Sequence, residues 1–535
     1  MTRLTLPCLL AIFFILAPDV AAQTGDRPAA DPLEGLDAYI EQALEDWQVP
    51  GVAVAIIKDG ELVLARGYGV RDLESREPVD EHTIFAIASV TKAFTSAAMA
   101  MLVDEGLVDW DDRVMDHLPD FRLYDTYATR EMRVRDLFIH NSGLPGGFGI
   151  WWGTPYTRQE IMDRLRYLEP VSSFRSRFGY SNLMYLVAGQ LLEAVTGESW
   201  DDFTTRRIFE PLGMRRSSTS VHGLEARTNV ATPYERIDGP TRPVPWRNID
   251  NAGTRQPDNT GPAGSINSSV HEMAEWLRLH LDGGTYGGEE LLSRQVLREM
   301  HSPHIVVPRG PAMEALLPET NLVTYGLGWS IMDYHGRKLL AHSGGTNGMR
   351  AQIGLVPQEG LGFVILSNMN AGRPLPQAIS HRVLDAYLAP DEDRDWRTLL
   401  RESEEGWLRS AREQLATLED ARIEGTSPGR SIDEYAGTYR DDFYGDVVVR
   451  NESSGLVLEY AGGHRAELEH WHHETFRAHW GDVMRSLIST TFGWQRFVTF
   501  HLGHDGKVKA LEWVGPDRPV EFERVEADDA ANPDE

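Results

Sequence analysis

In the stretch FAIASVTKAF, which begins at Phe85, a serine and a lysine stand three residues apart at Ser89 and Lys92. A serine hydroxyl is a weak nucleophile until a base takes its proton. Residues i and i+3 of a helix share a face, so a helical segment would bring Lys92 within reach of the Ser89 hydroxyl. Lysines are scarce in this chain (Lys58, Lys92, Lys338, Lys507 and Lys509), and Phe85, Ile87 and Phe94 around Lys92 predict that it is buried. Burial, or a nearby cation, is what lowers a lysine towards the range of a working base. At a helix start the Ser89 N–H also lies where a developing anion is favoured. Taken alone, the pattern equally describes a capping serine followed by a solvated lysine.

Two further segments carry matching chemistry. Tyr180-Ser181-Asn182 is the only Tyr-x-Asn among seventeen tyrosines and precedes an amphipathic helix. A phenol near Lys92 is open to partial ionisation and to relaying the Ser89 proton to a leaving group. Asn182 offers an amide to a substrate carbonyl. The third segment, His342-Ser343-Gly344-Gly345, ends a predicted strand, and its glycines let the backbone approach a ligand closely. The N–H groups of Ser89 and Gly345 would form the two-donor oxyanion hole that acyl transfer requires. Each segment by itself also reads as ordinary structure, a core tyrosine or a strand turn.

The elements that must position these residues are legible in outline. Leu33, Leu36, Ile40, Leu44 and Trp47 recur at helical spacing, and VAVAII and ELVLAR flank the hairpin signal Lys58-Asp59-Gly60. A helix is expected from about Ser89 to Glu105, stopped by Gly106. A helix-bearing middle follows, and short strands resume at YGLGWSIMD, RKLLAHSGG, AQIGLVP and GFVILSN. Strands at both ends of residues 33–390 would thus build one antiparallel sheet, with the helical middle packed on its side. Residues 391–429 read as a charged helical linker, 430–526 as a small all-β domain and 527–535 as an acidic tail.

Composition narrows the function classes. The net charge of −29 over 535 residues repels nucleic acid and anionic membrane surfaces. Arg3, the apolar Leu9 to Leu16 and the small Val20-Ala21-Ala22 have the three parts of a secretory signal peptide over residues 1–22. That predicts a secreted, periplasmic protein with no integral membrane segment after cleavage. The one cysteine, Cys8, lies inside the leader, which leaves the mature chain without thiol chemistry. The G-x-S-x-G match at Gly425 to Gly429 follows no strand and lies in the charged linker, so it is not a nucleophile elbow. HEMAEW at His271 lacks the second histidine of a zinc protease helix. His470, His472, His473 and His479 read as a solvated cluster, with His470 and His472 on one strand face.

In their order, Ser-x-x-Lys, Tyr-x-Asn and a basic-residue-x-Gly strand resemble the penicillin-recognising serine hydrolases. That superfamily holds class C β-lactamases, low-molecular-mass penicillin-binding proteins, D-aminopeptidases and related esterases. VPGVAVAIIKDGELVLARGYG, VRDLFIHNSGLPGG, GPAGSINSSVHEMAEWL and HSGGTNGMRAQIGLVPQEG are similar to the class C branch, from about Leu33 to Leu388. The resemblance implies an α/β (α+β) sandwich, β-lactamase/transpeptidase-like, and a lipocalin-like C-terminal domain. It implies Ser89 as the acylated nucleophile, Lys92 as its base or activator, and Tyr180 sharing the proton traffic and activating the deacylating water. Asn182 and the segment His342, Ser343, Gly344 and Gly345 would bind substrate, with no metal or organic cofactor. Two departures stand out. His342 replaces the lysine usual in β-lactamases of this branch, and a mostly neutral histidine points away from efficient penicillin hydrolysis. Phe174 to Gly179 replaces the usual Pro-Gly before the tyrosine motif. The implied activity is acyl-enzyme hydrolysis of a small peptide, amide or ester, with a D-residue peptide preferred. β-Lactamase, carboxylesterase and non-turnover sensor readings remain as alternatives, and the oligomeric state is open.

Overall fold

The computed structural model describes residues 31–151, 154–224, 226–236, 240–244, 246, 258–460, 463–481, 497–514 and 518–526. The signal-peptide and acidic-tail readings fall outside them.

Gly51–Lys58 (β1) and Glu61–Gly69 (β2) form the expected hairpin. Asp59 (φ 52) and Gly60 (φ 82) both occupy the left-handed region, which gives the two-residue turn a twist matching its strands. The later strands are Ile305–Val306 (β3), Val323–Tyr325 (β4), Ser330–Tyr334 (β5), Arg337–Thr346 (β6), Met349–Val356 (β7) and Leu361–Ser367 (β8). They complete an eight-stranded sheet in the order β2-β1-β8-β7-β6-β5-β4-β3, antiparallel throughout. Strand β1 lies inside the sheet with both faces covered, which is why GVAVAII is apolar without alternation.

Alternate side chains of β1 enter different cores, as a pleated strand requires. Val52, Val54 and Ile56 meet the helices Leu36–Trp47 (α1) and Pro374–Leu388 (α5). Ala53, Ala55 and Ile57 face the helical layer built on Thr91–Asp104 (α2), Leu183–Thr196 (α3) and Val270–Leu281 (α4). Helix α2 is buried from Thr91 to Leu102 and ends at Gly106 (φ 70). Helix α3, expected to be amphipathic, is instead buried on nearly every turn because it lies under the layer's other helices.

The charged segment forms the 25-residue helix Trp396–Asp420 (α6), of which only Trp396 and Leu400 are buried. The Trp396 indole N–H donates to Asp385 on α5 at 2.5 Å and pins the start of α6. Beyond it the chain closes an eight-stranded barrel: Gly437–Asp441 (β9), Gly445–Glu452 (β10), Gly455–Tyr460 (β11), His464–His472 (β12), Thr475–Trp480 (β13), Phe497–Leu502 (β14), Val508–Val514 (β15) and Pro519–Arg524 (β16). Tyr439, Leu458, Phe476, Trp480, Phe500 and Trp513 fill its core. His470 and His472 do not share a plain strand face, since the β12–β13 ladder shifts register between them. No helix among the described residues is long and apolar enough to cross a membrane.

Candidate active site

Ser89 does not begin the α-helix itself. It occupies a single 3-10 turn, Ala88–Val90, which feeds into α2. Ala88 has φ 48, a left-handed conformation uncommon for a residue with a Cβ and costing about 1–3 kcal/mol. Neighbouring segments hold that bend: Ile87 N–H donates to the Ile266 backbone oxygen at 3.0 Å, and Ala86 N–H donates to the Met349 side-chain Sδ at 3.1 Å. The sharp turn preserves the three-residue relation between Ser89 and Lys92.

Lys92 is fully buried. Its Nζ lies 3.2 Å from Ser89 Oγ, 2.7 Å from Asn182 Oδ1 and 2.8 Å from Ala263 O. A lysine head is strongly polar, and burying it without hydrogen-bond partners would be costly. The rings of Tyr180 and Tyr185 flank it, with centroids 4.9 and 5.2 Å from Nζ. Asn182 stands at the N-cap of α3, yet its side chain makes no capping bond. It turns to Lys92 instead. A lysine Nζ–H donates to it, so Oδ1 must face Lys92, which leaves Nδ2 to donate to a substrate carbonyl.

Burial pushes the Tyr180 phenol up, with the neighbouring Ser89 hydroxyl acting in the opposite direction. The expectation of partial ionisation is therefore corrected: desolvation holds Tyr180 as a neutral phenol.

The sequence reading missed His140. Its backbone oxygen accepts Gly179 N–H at 2.8 Å, and its Nδ1 accepts Ser181 N–H at 3.2 Å. One residue thus grips the chain on both sides of Tyr180, with its ring 4.2 Å from the tyrosine ring. His140 is fully buried at φ 60. Burial, Lys92 and His342 hold it well below the ordinary histidine range, so it is neutral and carries its hydrogen on Nε2. Following the apolar Leu137-Phe138-Ile139, it reads in sequence as a core residue; only its φ sets it apart.

Strand β6 passes directly beside the Ser89 turn. A Cβ at Gly344 would run into the Ile87 carbonyl oxygen, so close approach requires glycine there. His342 and Gly344 face that turn and are buried, while Ser343 and Gly345 point to the other face and are exposed. His342 donates from Nδ1 to Ser343 O at 2.7 Å, and its Nε2 accepts the Tyr325 O–H at 2.8 Å. Burial and the nearby Lys92 bring its pKa down to about 3. Both ring nitrogens are occupied and the ring is uncharged, so it props the strand and offers a substrate no cation.

Comparison with known proteins agrees with this geometry. The Beta-lactamase family model matches residues 36–388, and a second model, a domain of unknown function, matches residues 421–528. The unguisins hydrolase ungD of Aspergillus violaceofuscus is 30% identical over 82% of this chain and 79% of its own. The octameric penicillin-binding protein homologue of Pyrococcus abyssi superposes with a TM-score of 0.59 at 23% identity, covering 91% of this chain and 99% of that one. The D-amino acid amidase of Ochrobactrum anthropi SV3, complexed with L-phenylalanine amide, gives a TM-score of 0.53 at 25% identity, over 67% of this chain and 99% of its own. With its serine, lysine and tyrosine gathered at one turn, this chain belongs to the Beta-lactamase family of serine hydrolases.

Proposed function

We propose that the protein hydrolyses an amide bond next to a D-residue in a small peptide or amino-acid amide, through an acyl-enzyme on Ser89. The observation that carries this reading is the position of Lys92 Nζ, within hydrogen-bond reach of both Ser89 Oγ and Asn182 Oδ1. Ser89 Oγ bonds to the substrate carbonyl carbon as its proton passes to the lone pair of Lys92, which acts as base in its neutral amine form. Lys92 keeps two N–H groups for Asn182 Oδ1 and Ala263 O, with the neutral Tyr180 phenol relaying protons beside it. The oxyanion is held by the N–H groups of Ser89 and Gly345. Lys92 and Tyr180 return the proton to the leaving nitrogen as the C–N bond breaks. Water, deprotonated by the same two residues, then attacks the ester and releases the acid and the Ser89 hydroxyl. The neutral, fully engaged His342 supports amide and peptide substrates over those that need a cation for a carboxylate. An amidase acting on D-amino acids and a hydrolase of unguisins are among the similar proteins, in line with such bonds. The leader at residues 1–22 supports a periplasmic setting for the reaction.

The test is a panel of D- and L-amino-acid amides, short peptides, esters and β-lactams, run on the wild type and on Ser89→Ala. The expected result is turnover greatest on D-residue amides, absent in Ser89→Ala, with a transient acyl adduct in the intact mass. Preference for esters or L-residues would overturn the substrate class, and turnover that survives in Ser89→Ala would overturn the mechanism.

A further inference from the structure

The barrel enters the catalytic domain through the turn between β9 and β10. Asp441 Oδ1 shapes that turn by accepting the N–H groups of Phe443 (2.9 Å) and Tyr444 (2.6 Å). Phe443 is 1% exposed and packs in the catalytic domain's core rather than the barrel's. Arg164, stacked on Tyr156 at 4.3 Å, donates to Asp442 O at 2.8 Å. Gly445 (φ 84) leaves space that the Tyr156 hydroxyl fills. Arg518 pairs with Glu169 across the same junction. A tethered, independent module would need none of these contacts.

One contact reaches towards the chemistry. The Tyr460 hydroxyl on β11 lies 2.9 Å from Gly149 O and 3.2 Å from Tyr444 O. The Tyr444 ring abuts Gly149, where a Cβ would stand 3.1 Å from two ring carbons. Gly149 lies in the short helix Phe148–Trp151, at the far end of a segment whose loop begins at His140. Within that loop Pro145 O accepts the Ser181 hydroxyl at 3.3 Å. Gly147 abuts Leu183, where a Cβ would come 2.6 Å from Cδ1. His140 itself grips the chain on both sides of Tyr180. That stretch is therefore held at its far end by the barrel and at three points along its length by the segment from Gly179 to Leu183.

We infer that the C-terminal barrel is a structural part of the active site: Tyr460, a positioning residue, fixes the His140–Gly149 segment through Gly149 O in the helix Phe148–Trp151, and the loop of that segment fixes Tyr180 and Asn182 against Lys92. This rests on the reading that Tyr180 and Asn182 serve the reaction, but its structural half can be measured without any substrate.

The experiment uses the full-length protein and three variants. Tyr460→Phe keeps the ring and removes the donor. Gly149→Ala disturbs the same contact from the catalytic side. Tyr439→Phe removes a comparable barrel hydrogen bond, Tyr439 O–H to Tyr435 O at 2.7 Å, that does not touch the loop. Amide hydrogen exchange is followed across residues 143–150 and 179–183, alongside kcat, KM and the rate at which a fluorophosphonate labels Ser89. Tyr460→Phe and Gly149→Ala should each speed exchange in both segments and lower kcat about ten-fold, with KM within about two-fold. Tyr439→Phe should change neither. If Tyr460→Phe and Tyr439→Phe behave alike in exchange and labelling, the inference is overturned, whatever the substrate. If exchange rises in both segments while labelling and kcat stay at wild-type values, the brace exists but serves no catalysis, and the inference fails at that step. Should Tyr460→Phe fail to fold, Gly149→Ala decides by the same readouts.

Discussion

A lysine in a fully buried position is tolerable only where acceptors replace water, and those of Lys92 come from three separate segments: the Ser89 turn, the start of α3 and the carbonyl of Ala263. Lys92→Met keeps the length of the side chain but removes every donor. It would leave buried Asn182 Oδ1 and Ala263 O without their partner, at about 1–3 kcal/mol each. The expected outcome is a kcat lower by about a thousand-fold or more with the fold retained, checked by steady-state kinetics beside circular dichroism. His140 makes a sharper test of positioning. His140→Asn keeps an acceptor near the Nδ1 position and suits the left-handed backbone, so kcat should stay within a few-fold of wild type. His140→Leu loses the acceptor for Ser181 N–H and should cost about a hundred-fold in kcat, with less effect on KM. Equal losses in the two variants would remove the hydrogen bond from the explanation.

Among the elements, the approach of β6 to the Ser89 turn is the most exacting, because Gly344 meets the Ile87 carbonyl with no room for a side chain. Gly344→Ala should push the strand from the turn and misplace the Gly345 N–H that the proposed oxyanion hole needs. The expected loss in kcat/KM is about 10²–10³-fold, the effect of losing one such donor. Thermal unfolding would show a smaller change, since the rest of β6 remains paired with β5 and β7. An active Gly344→Ala enzyme would separate the strand from the oxyanion hole. The strained Ala88 belongs to the same junction, and the contacts of Ile87 and Ala86 with neighbouring segments hold its conformation.

Across the whole molecule, buried neutral histidines set the response to acid. Burial brings His342 and His280 down to about 3 and His381 to about 4, and it holds His140 and His301 well below their ordinary range. His280 and His301 share a hydrogen bond at 3.1 Å, and His381 stacks on Trp396. In the unfolded chain each of these binds a proton near pH 6.5, whereas the folded protein refuses it until far lower pH. Stability from this source is therefore complete above pH 6.5 and is lost as pH falls towards the folded values. Each histidine contributes a slope approaching about 1.4 kcal/mol per pH unit inside that window. Several acting together are large beside a total stability of about 5–15 kcal/mol. The urea midpoint should drop steeply between about pH 6.5 and pH 5.5 with little change in m, in high salt that screens the −29 net charge. A midpoint flat across that interval would contradict the assignment.

What could be read from the chain alone was whatever depends on neighbours in sequence. The Asp59-Gly60 turn, the stop at Gly106, the i, i+3 relation of Ser89 and Lys92, and the apolar run of β1 follow from backbone preference and periodicity, which are local. The order of the three motifs was equally legible, and through it the family. Contacts between distant segments were not. Nothing near Tyr180 in the sequence shows that desolvation keeps it a neutral phenol. Nothing near His342 shows that Tyr325 takes its Nε2. His140 looked like one more core residue, because its two partners lie some forty residues further along the chain. The alternation of β12 and β13 was obscured by the histidines HWHH and AHW. The barrel's turn inserting Phe443 into another domain's core is likewise invisible locally, since burial belongs to the folded surroundings and not to the residue. Sequence thus determined which groups can react; only the tertiary structure decided which are charged, which are held in place, and by what.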